Sequence, residues 1–162
     1  MADFSFDVVS DFDHQELVNA LDQVRREIAT RFDFKASKCS QELAKAEITL
    51  IADDDFRAAS VKDLIQSKAV RRSLSLKIFD WGKLEPAAGG TVRQVIGLHK
   101  GLTADQGREL SKRVRERFPK VKVSIQGDAL RVSASSKDLL QAVITDLREL
   151  DYPVALQFTN YR

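Results

Sequence analysis

The sequence is poor in the residues that most often build metal sites. Its 162 residues include a single cysteine, Cys39, which cannot form an internal disulfide. The two histidines, His14 and His99, have no cysteine or carboxylate nearby at metal-ligand spacing. The acidic run 53–55 lacks the alternating spacing of a calcium loop, and it sits where carboxylates cap a helix. We therefore predict no metal site and no cofactor.

Catalytic motifs are also missing. The sequence has no GxxxxGK[ST] phosphate loop, no GxGxxG dinucleotide motif and no GxSxG nucleophile elbow. We find no nucleophile with a credible general base. These absences predict that the protein is not an enzyme and acts by binding.

Long apolar segments are absent as well. No run approaches the roughly 18 apolar residues that a membrane helix needs. The opening MADFSFDVVSD lacks the basic and apolar regions of a signal peptide. We therefore expect a cytoplasmic protein without a membrane partner.

Charge is nearly balanced but unevenly distributed. The net charge is +2, yet residues 1–90 hold 13 basic and 16 acidic side chains, whereas residues 91–162 hold 13 and 8. The halves therefore carry −3 and +5. This asymmetry indicates an anionic partner for the second half, although the balance is less basic than in dedicated DNA-binding proteins.

Apolar periodicity predicts the same order of elements twice. FSFDVVS alternates as a strand, and apolar residues then recur every three or four positions from Asp13 to about Phe32, as in an amphipathic helix. DFKASKC, EITLIA and LSLKIF predict further strands, with a helix from the acidic run 53–55 to Arg71 before the last of them. Each half thus predicts strand, helix, strand, strand, helix, strand.

Local signals in the second half support this pattern. Thr103 and Gln106 form a capping box, and Gly127 marks a hairpin turn. We predict Ser135 as the cap of the last helix. VKDLIQ in the first half aligns with SKDLLQ in the second, which indicates a duplication. The predicted fold class is α+β, with two ferredoxin-like (βαββαβ) domains.

Strand pairing suggests that the two copies exchange their first strands. A loop of about ten residues joins the strand that ends at Phe79 to the strand of about 91–100, so an antiparallel hairpin between them is the local pairing. The strand 91–100 would then be the edge strand of a domain at 11–102. Residues 1–10 would join 103–162 in the second domain, which would reduce the charge asymmetry. The alternative without exchange divides the chain at 1–90 and 91–162.

The helix-free sheet face of the second copy is the predicted binding surface. Val121, Val123, Ile125, Leu130, Val132, Leu156 and Phe158 alternate into the predicted core, which leaves Lys122, Ser124, Gln126, Arg131, Ser133, Gln157 and Thr159 on the other face. This face has no aromatic platform of the RNA-recognition type. Its basic and amide groups suit phosphates and base edges, but an ordinary solvated face is the alternative.

The sequence resembles the YajQ family of small bacterial proteins. The resemblance rests on SFDVVS, RFDFK from Arg31, IQGDALRV from Ile125, KDLLQAV and the final LQFTNYR, which occur in order over nearly the whole chain. It implies two ferredoxin-like domains with exchanged strands, and non-enzymatic binding of a purine nucleotide, RNA or a cyclic dinucleotide. Phe32, Phe34 and Phe158 are expected in the core.

Within those motifs we select six candidate nucleotide-binding residues. They are Arg31, Lys35, Gln126, Arg131, Asn160 and Arg162. The first hypothesis is a nucleotide-binding regulatory protein that uses the sheet face and a groove between domains. The alternative is a protein–protein interaction module whose nucleotide affinity is incidental.

Overall fold

A computed structural model describes residues 3–162. They form thirteen helices and strands, besides short 3₁₀ turns: β1 (Phe4–Val9), α1 (His14–Thr30), β2 (Ser40–Leu43), β3 (Glu47–Ala52), α2 (Asp55–Arg71), β4 (Phe79–Trp81), β5 (Glu85–Pro86), β6 (Val92–Leu98), α3 (Ala104–Arg117), β7 (Lys122–Gln126), β8 (Ala129–Ala134), α4 (Lys137–Glu149) and β9 (Gln157–Thr159). The predicted α+β class is confirmed, because four helices accompany two antiparallel sheets.

The chain divides into two compact units. The first unit comprises residues 12–99, and the second comprises residues 3–11 with 100–162. The division of the chain into folding domains at 11–102 and at 1–10 plus 103–162 stays a prediction.

The sheet of the second unit has the strand order β7-β8-β1-β9. β1 pairs antiparallel with β8, where Phe6 lies opposite Val132, and with β9, where Val8 lies opposite Phe158. The N-terminal strand therefore lies between two strands from the last third of the chain. Its alternating Phe6 and Val8 are fully buried, so the apolar face of β1 forms part of this unit's core.

The sheet of the first unit has the order β2-β3-β6-β4, and β5 also pairs with β6. β6 pairs with β3 on one side and with β4 on the other. The strand predicted at about 91–100 is therefore interior rather than an edge strand, because the long strand β3 extends the sheet beyond it. The edge on that side is β2.

Each unit has its own apolar core. In the first unit the inner faces of α1 and α2 cover Ile48, Leu50 and Ile96. In the second, α3 and α4 cover Leu130 and Val132 together with the buried side of β1. A sheet with helices on one face leaves its other face open, which is why polar residues alternate with the core residues along these strands.

Local predictions failed where tertiary packing decided the outcome. DFKASKC is not a strand: Phe32–Phe34 forms a 3₁₀ turn, and extended pairing begins only at Ser40. In LSLKIF, Leu76–Ile78 is likewise a 3₁₀ turn, and the strand begins at Phe79. Ser136 rather than Ser135 caps α4, since its side chain accepts a bond from Leu139 N.

Two predicted core residues are exposed. Phe32 is 88% exposed because the 3₁₀ turn directs it outward while Phe34 enters the core. Ile125 is 48% exposed near the end of β7. By contrast, the Thr103–Gln106 capping box and the hairpin between β7 and β8 are confirmed.

Among residues 3–162, no helix is long and apolar enough to cross a membrane. Over the same residues, no group of three or more His, Cys, Asp and Glu side chains could hold a metal ion.

Candidate functional site

The C-terminal segment is joined to β1 through a β-bulge at Asn160. Asp7 lies opposite Thr159, and the main chains of Ser5 and Arg162 exchange two hydrogen bonds of 3.1 and 3.0 Å. One residue of β1, Phe6, therefore faces two residues of the terminal segment, Asn160 and Tyr161. Asn160 has φ = 57°, a left-handed conformation that asparagine tolerates better than most residues. The bulge extends the pairing of β9 to the end of the described chain.

Asp7 is the centre of a polar cluster on the open face of the second sheet. Its carboxylate accepts a 3.0 Å bond from Arg131 Nε and a 2.9 Å bond from the Asn160 amide. Register explains the arrangement, because Ser124, Arg131, Asp7 and Thr159 lie in one row across the four strands. Two predicted site residues, Arg131 and Asn160, are thus brought together by a third residue that was not predicted.

The ion pair sets the charge state of this cluster. The bond from Arg131 holds the pKa of the Asp7 carboxyl below its usual value, against the opposing effect of burial, and the Asn160 bond and the charge of Arg162 act in the same direction. The same ion pair raises the pKa of the Arg131 guanidinium. Asp7 takes up Nε and Nη2 of Arg131, so a phosphate that approached these two donors would have to displace Asp7. Arg131 and Asn160 are therefore occupied groups.

A cleft of about 340 Å³ lies in the second unit. We call it the terminal cleft. It is lined by Phe4, Ser5, Lys137, Leu140, Gln141, Ile144, Tyr161 and Arg162. The first two turns of α4 provide one wall, and β1 with the bulged terminal segment provides the other.

The terminal cleft combines an aromatic ring, two cations and an amide. The Tyr161 side chain is 60% exposed, and its ring centroid lies 6.2 Å from that of buried Phe6. Lys137 is the first residue of α4, and its Nζ lies 4.9 Å from the centroid of the Phe4 ring. The lining contains no aspartate or glutamate. Both the cations and the adjacent helix N-terminus favour an anionic ligand there.

Arg31 and Lys35, two further predicted nucleotide-binding residues, lie in the first unit. Arg31 forms a two-bond ion pair with Asp33, at 3.0 and 2.8 Å, and its guanidinium carbon lies 5.3 Å from the Phe34 ring centroid. Its pKa is raised by the bond to Asp33. Lys35 is exposed after the 3₁₀ turn. The structure thus places these two residues on a different unit from the terminal cleft.

Gln126 lies at the end of β7 and is exposed. Its amide donates a 3.1 Å bond to Ser124, on the same strand. It faces the same side of the sheet as Arg131 but does not line the terminal cleft. Of the six predicted residues, only Arg162 lines that cleft.

A larger groove between α1 and α2 of the first unit also contains cations, but its charges are partly compensated. Lys68 pairs with Glu27 at 3.2 Å, and Arg72 pairs with Glu16 at 3.3 Å. These cations lie at the C-terminal end of α2, where they compensate the helix dipole. Arg26 and Arg71 also line the groove, so its cations outnumber its carboxylates by two. Its lining offers no aromatic ring to a base, however, whereas the terminal cleft does.

Sequence reasoning missed Lys137, Gln141 and Tyr161 as members of one site. Lys137 and Gln141 are four residues apart and thus lie on one helix face, which the sequence could have indicated. The position of Tyr161 depends on the Asn160 bulge, which moves the following residues by one register step. That shift is visible only in the structure.

A family model and several named relatives match this chain over almost its whole length. The family model described as "Nucleotide-binding protein YajQ-like" matches residues 4–162. A protein of Synechococcus elongatus named as a nucleotide-binding protein is 58% identical over 158 residues, which cover 98% of this chain and 97% of the relative. Similarly named proteins of Trichormus variabilis and Chloroflexus aurantiacus are 54% and 53% identical, with at least 98% of each chain covered.

Proposed function

Since the chain belongs to the YajQ family, whose relatives are named as nucleotide-binding proteins, we propose that it binds a purine nucleotide in the terminal cleft. The observation that carries the proposal is the combination of the exposed Tyr161 ring with Lys137 and Arg162 in a cleft without acidic side chains. The family relationship supports nucleotide binding, and the cleft chemistry supports this location.

Each part of a nucleotide has a matching group in the cleft. The Tyr161 ring can stack on a base, and the Gln141 amide offers a donor and an acceptor to the base edge. Lys137 and Arg162 can form charge-assisted bonds to phosphate oxygens. Phe4, Leu140 and Ile144 supply apolar contact. The volume is at the lower end of small-molecule sites, which favours one mononucleotide over a cyclic dinucleotide or RNA.

The protein would act by binding and not by turnover, in a regulatory role. The absence of any catalytic motif from the sequence supports this part of the proposal.

The order of elements and the antiparallel pairing support two ferredoxin-like folds with exchanged first strands. Its cytoplasmic location stays a prediction from the sequence.

Calorimetric titration of the whole chain tests the proposal. GTP, ATP, a cyclic dinucleotide and a short single-stranded RNA would each be titrated into the protein at low and moderate salt. We expect saturable binding of a mononucleotide, weakened about tenfold or more by Lys137→Ala, because a charge-assisted bond contributes about 1.5–3 kcal/mol. Tyr161→Ala should weaken binding through lost stacking.

The first unit provides a matched control. Lys62 in α2 lies 4.8 Å from the Trp81 ring centroid, much as Lys137 lies over Phe4, but it does not line the terminal cleft. Lys62→Ala should leave the affinity unchanged. Equal losses in the two variants would reject the terminal cleft, and heat from none of the ligands would favour the interaction-module alternative. Phosphate release from GTP or ATP would contradict action by binding alone.

A further inference from the structure

The first unit has an open sheet edge at β2. Within residues 3–162, β3 is the only strand that pairs with β2. Ala44 N donates to Glu47 O at 2.8 Å, and antiparallel bonding alternates along a strand. Ser40 and Glu42 therefore bond towards β3, whereas the main-chain groups of Gln41 and Leu43 point to the outer edge. An unprotected edge of this kind is a template for another strand.

Gln41 adds an unsatisfied donor at the same edge. The residue is only 3% exposed, and its Nε2 is buried without a hydrogen-bond partner among the described residues. Leaving a buried amide donor unpaired destabilises the folded state. A ligand can bring an acceptor to Nε2 only if the Gln41 side chain turns out of the core, and the new bond would then offset the cost of the unpaired donor.

A groove connects the two features. It has a volume of about 720 Å³ and runs between α1 and β2, lined by Arg25, Ile28, Ala29, Cys39, Ser40, Gln41, Glu42 and Leu43. Arg25 already donates to Gln41 O, so that carbonyl is occupied. The remaining outward groups are the N–H of Gln41 and both main-chain groups of Leu43. Ile28, Ala29 and Cys39 provide an apolar floor.

We propose that the β2 edge docks an extended segment of a partner protein. The partner segment adds a strand beside β2, exchanges main-chain hydrogen bonds with Leu43, and offers an acceptor to Gln41 Nε2 once that side chain turns outward. Its alternate apolar side chains enter the groove below α1. This mode of recognition takes its affinity from main-chain bonds and its specificity from the side-chain groove. The proposal is independent of the nucleotide site.

Charge favours a foreign segment over a second copy of the chain. Two-fold pairing centred on Glu42 would place two carboxylates directly opposite each other, which is destabilising. Pairing centred on Gln41 would bring together two Arg25 guanidiniums, because each is bound to its own Gln41 carbonyl. Pairing centred on Leu43 would align little of the strand, because β2 ends at that residue. A neutral, apolar extended segment meets neither repulsion.

Selection from a phage-displayed dodecapeptide library on the full chain tests the proposal. Leu43→Pro is the specific variant, because it removes an outward N–H and leaves the β2–β3 bonds in place. We expect enriched peptides with alternating apolar residues that bind about tenfold more weakly to Leu43→Pro. In a ¹⁵N NMR spectrum, the bound peptide should shift the Gln41 side-chain amide.

A second comparison keeps the test decisive if Leu43→Pro does not fold. Each selected peptide would be resynthesised with N-methyl groups on alternate residues, which removes its edge donors in one of the two registers. Loss of binding in one register supports strand addition. No enrichment, or binding that neither Leu43→Pro nor N-methylation weakens, would overturn the proposal. A dimer in sedimentation that dissociates in Leu43→Pro would assign the edge to a second copy instead.

Discussion

The open sheet faces of the two units carry opposite charge. The strands of the second unit present two cations and one carboxylate on that face: Lys122, Arg131 and Asp7. The corresponding face of the first unit presents four carboxylates and one cation: Glu42, Glu47, Asp80, Glu85 and Arg93. Both cores keep apolar residues at alternate strand positions, because a one-residue change of register would turn those residues to solvent. The open faces are under no such constraint, so their charges can differ. The open face of the second unit is therefore better suited to an anionic ligand than that of the first unit.

The largest predicted effect is a loss of stability in the second unit, whose core includes β1. Phe6 is fully buried in the core of the second unit, so Phe6→Ala should destabilise that unit by about 3–5 kcal/mol. Hydrogen exchange should show loss of protection in residues 100–162 and retained protection in residues 12–99. Equal loss of protection in both ranges would mean that the two units unfold together and do not differ in their dependence on β1.

Asp7→Asn tests the charge of the second unit's face directly. The substitution removes the counter-ion of Arg131 and should cost about 1–2 kcal/mol in denaturant unfolding, because charged hydrogen bonds are lost. It also removes a negative charge close to Arg162, which makes the surroundings of the cleft more positive. The affinity for an anionic nucleotide should therefore increase several-fold at low salt. Glu42→Gln, on the face of the first unit, is the control and should change neither quantity. A lower nucleotide affinity in Asp7→Asn would contradict the inferred effect of the Asp7 charge on Arg162.

Acid titration separates the same two faces with a smaller effect. The folded pKa of Asp7 is lowered by Arg131, so its stabilising contribution is present above about pH 4 and is lost as pH falls through the folded pKa. Thermal unfolding between pH 5 and 2.5 should show a weaker acid dependence in Asp7→Asn than in the unchanged protein. Parallel curves for the two proteins would show that the Asp7 pair contributes no pH dependence.

The smallest effect is expected at an exposed aromatic residue of the first unit. Phe32→Ser should change the free energy of unfolding by less than about 0.5 kcal/mol, because the ring is 88% exposed. Phe34→Ala, two residues away and 4% exposed, should cost about 3–5 kcal/mol. Chemical denaturation of both variants checks the contrast, and a large loss in Phe32→Ser would place that ring in the core after all.

Prediction from the sequence succeeded where the signal is local. The Thr103–Gln106 box works because both bonds join residues three positions apart. The alternation of Leu130 and Val132 into the core follows from the period of a strand. Phe32 shows the limit of this reasoning, since its apolar character predicts burial but a 3₁₀ turn directs it to solvent.

The candidate site was predicted only in part. Arg131, Asn160 and Arg162 were selected for their chemistry, yet Asp7 determines that the first two are occupied. Asp7 is 124 residues from Arg131 in sequence, so no local pattern connects them. Lys137 and Tyr161 meet at one cleft because the Asn160 bulge directs the terminal segment along β1.

The sequence by itself determined the class of fold, the repeated order of elements, most helix caps and the family, because these depend on periodicity and on motifs of a few residues. Only the tertiary structure decided that β6 is interior, that β2 is left as an open edge, and that cations gather at the terminal cleft. Strand pairing joins residues that are distant along the chain, so hydrogen-bond register and not local propensity places their side chains together.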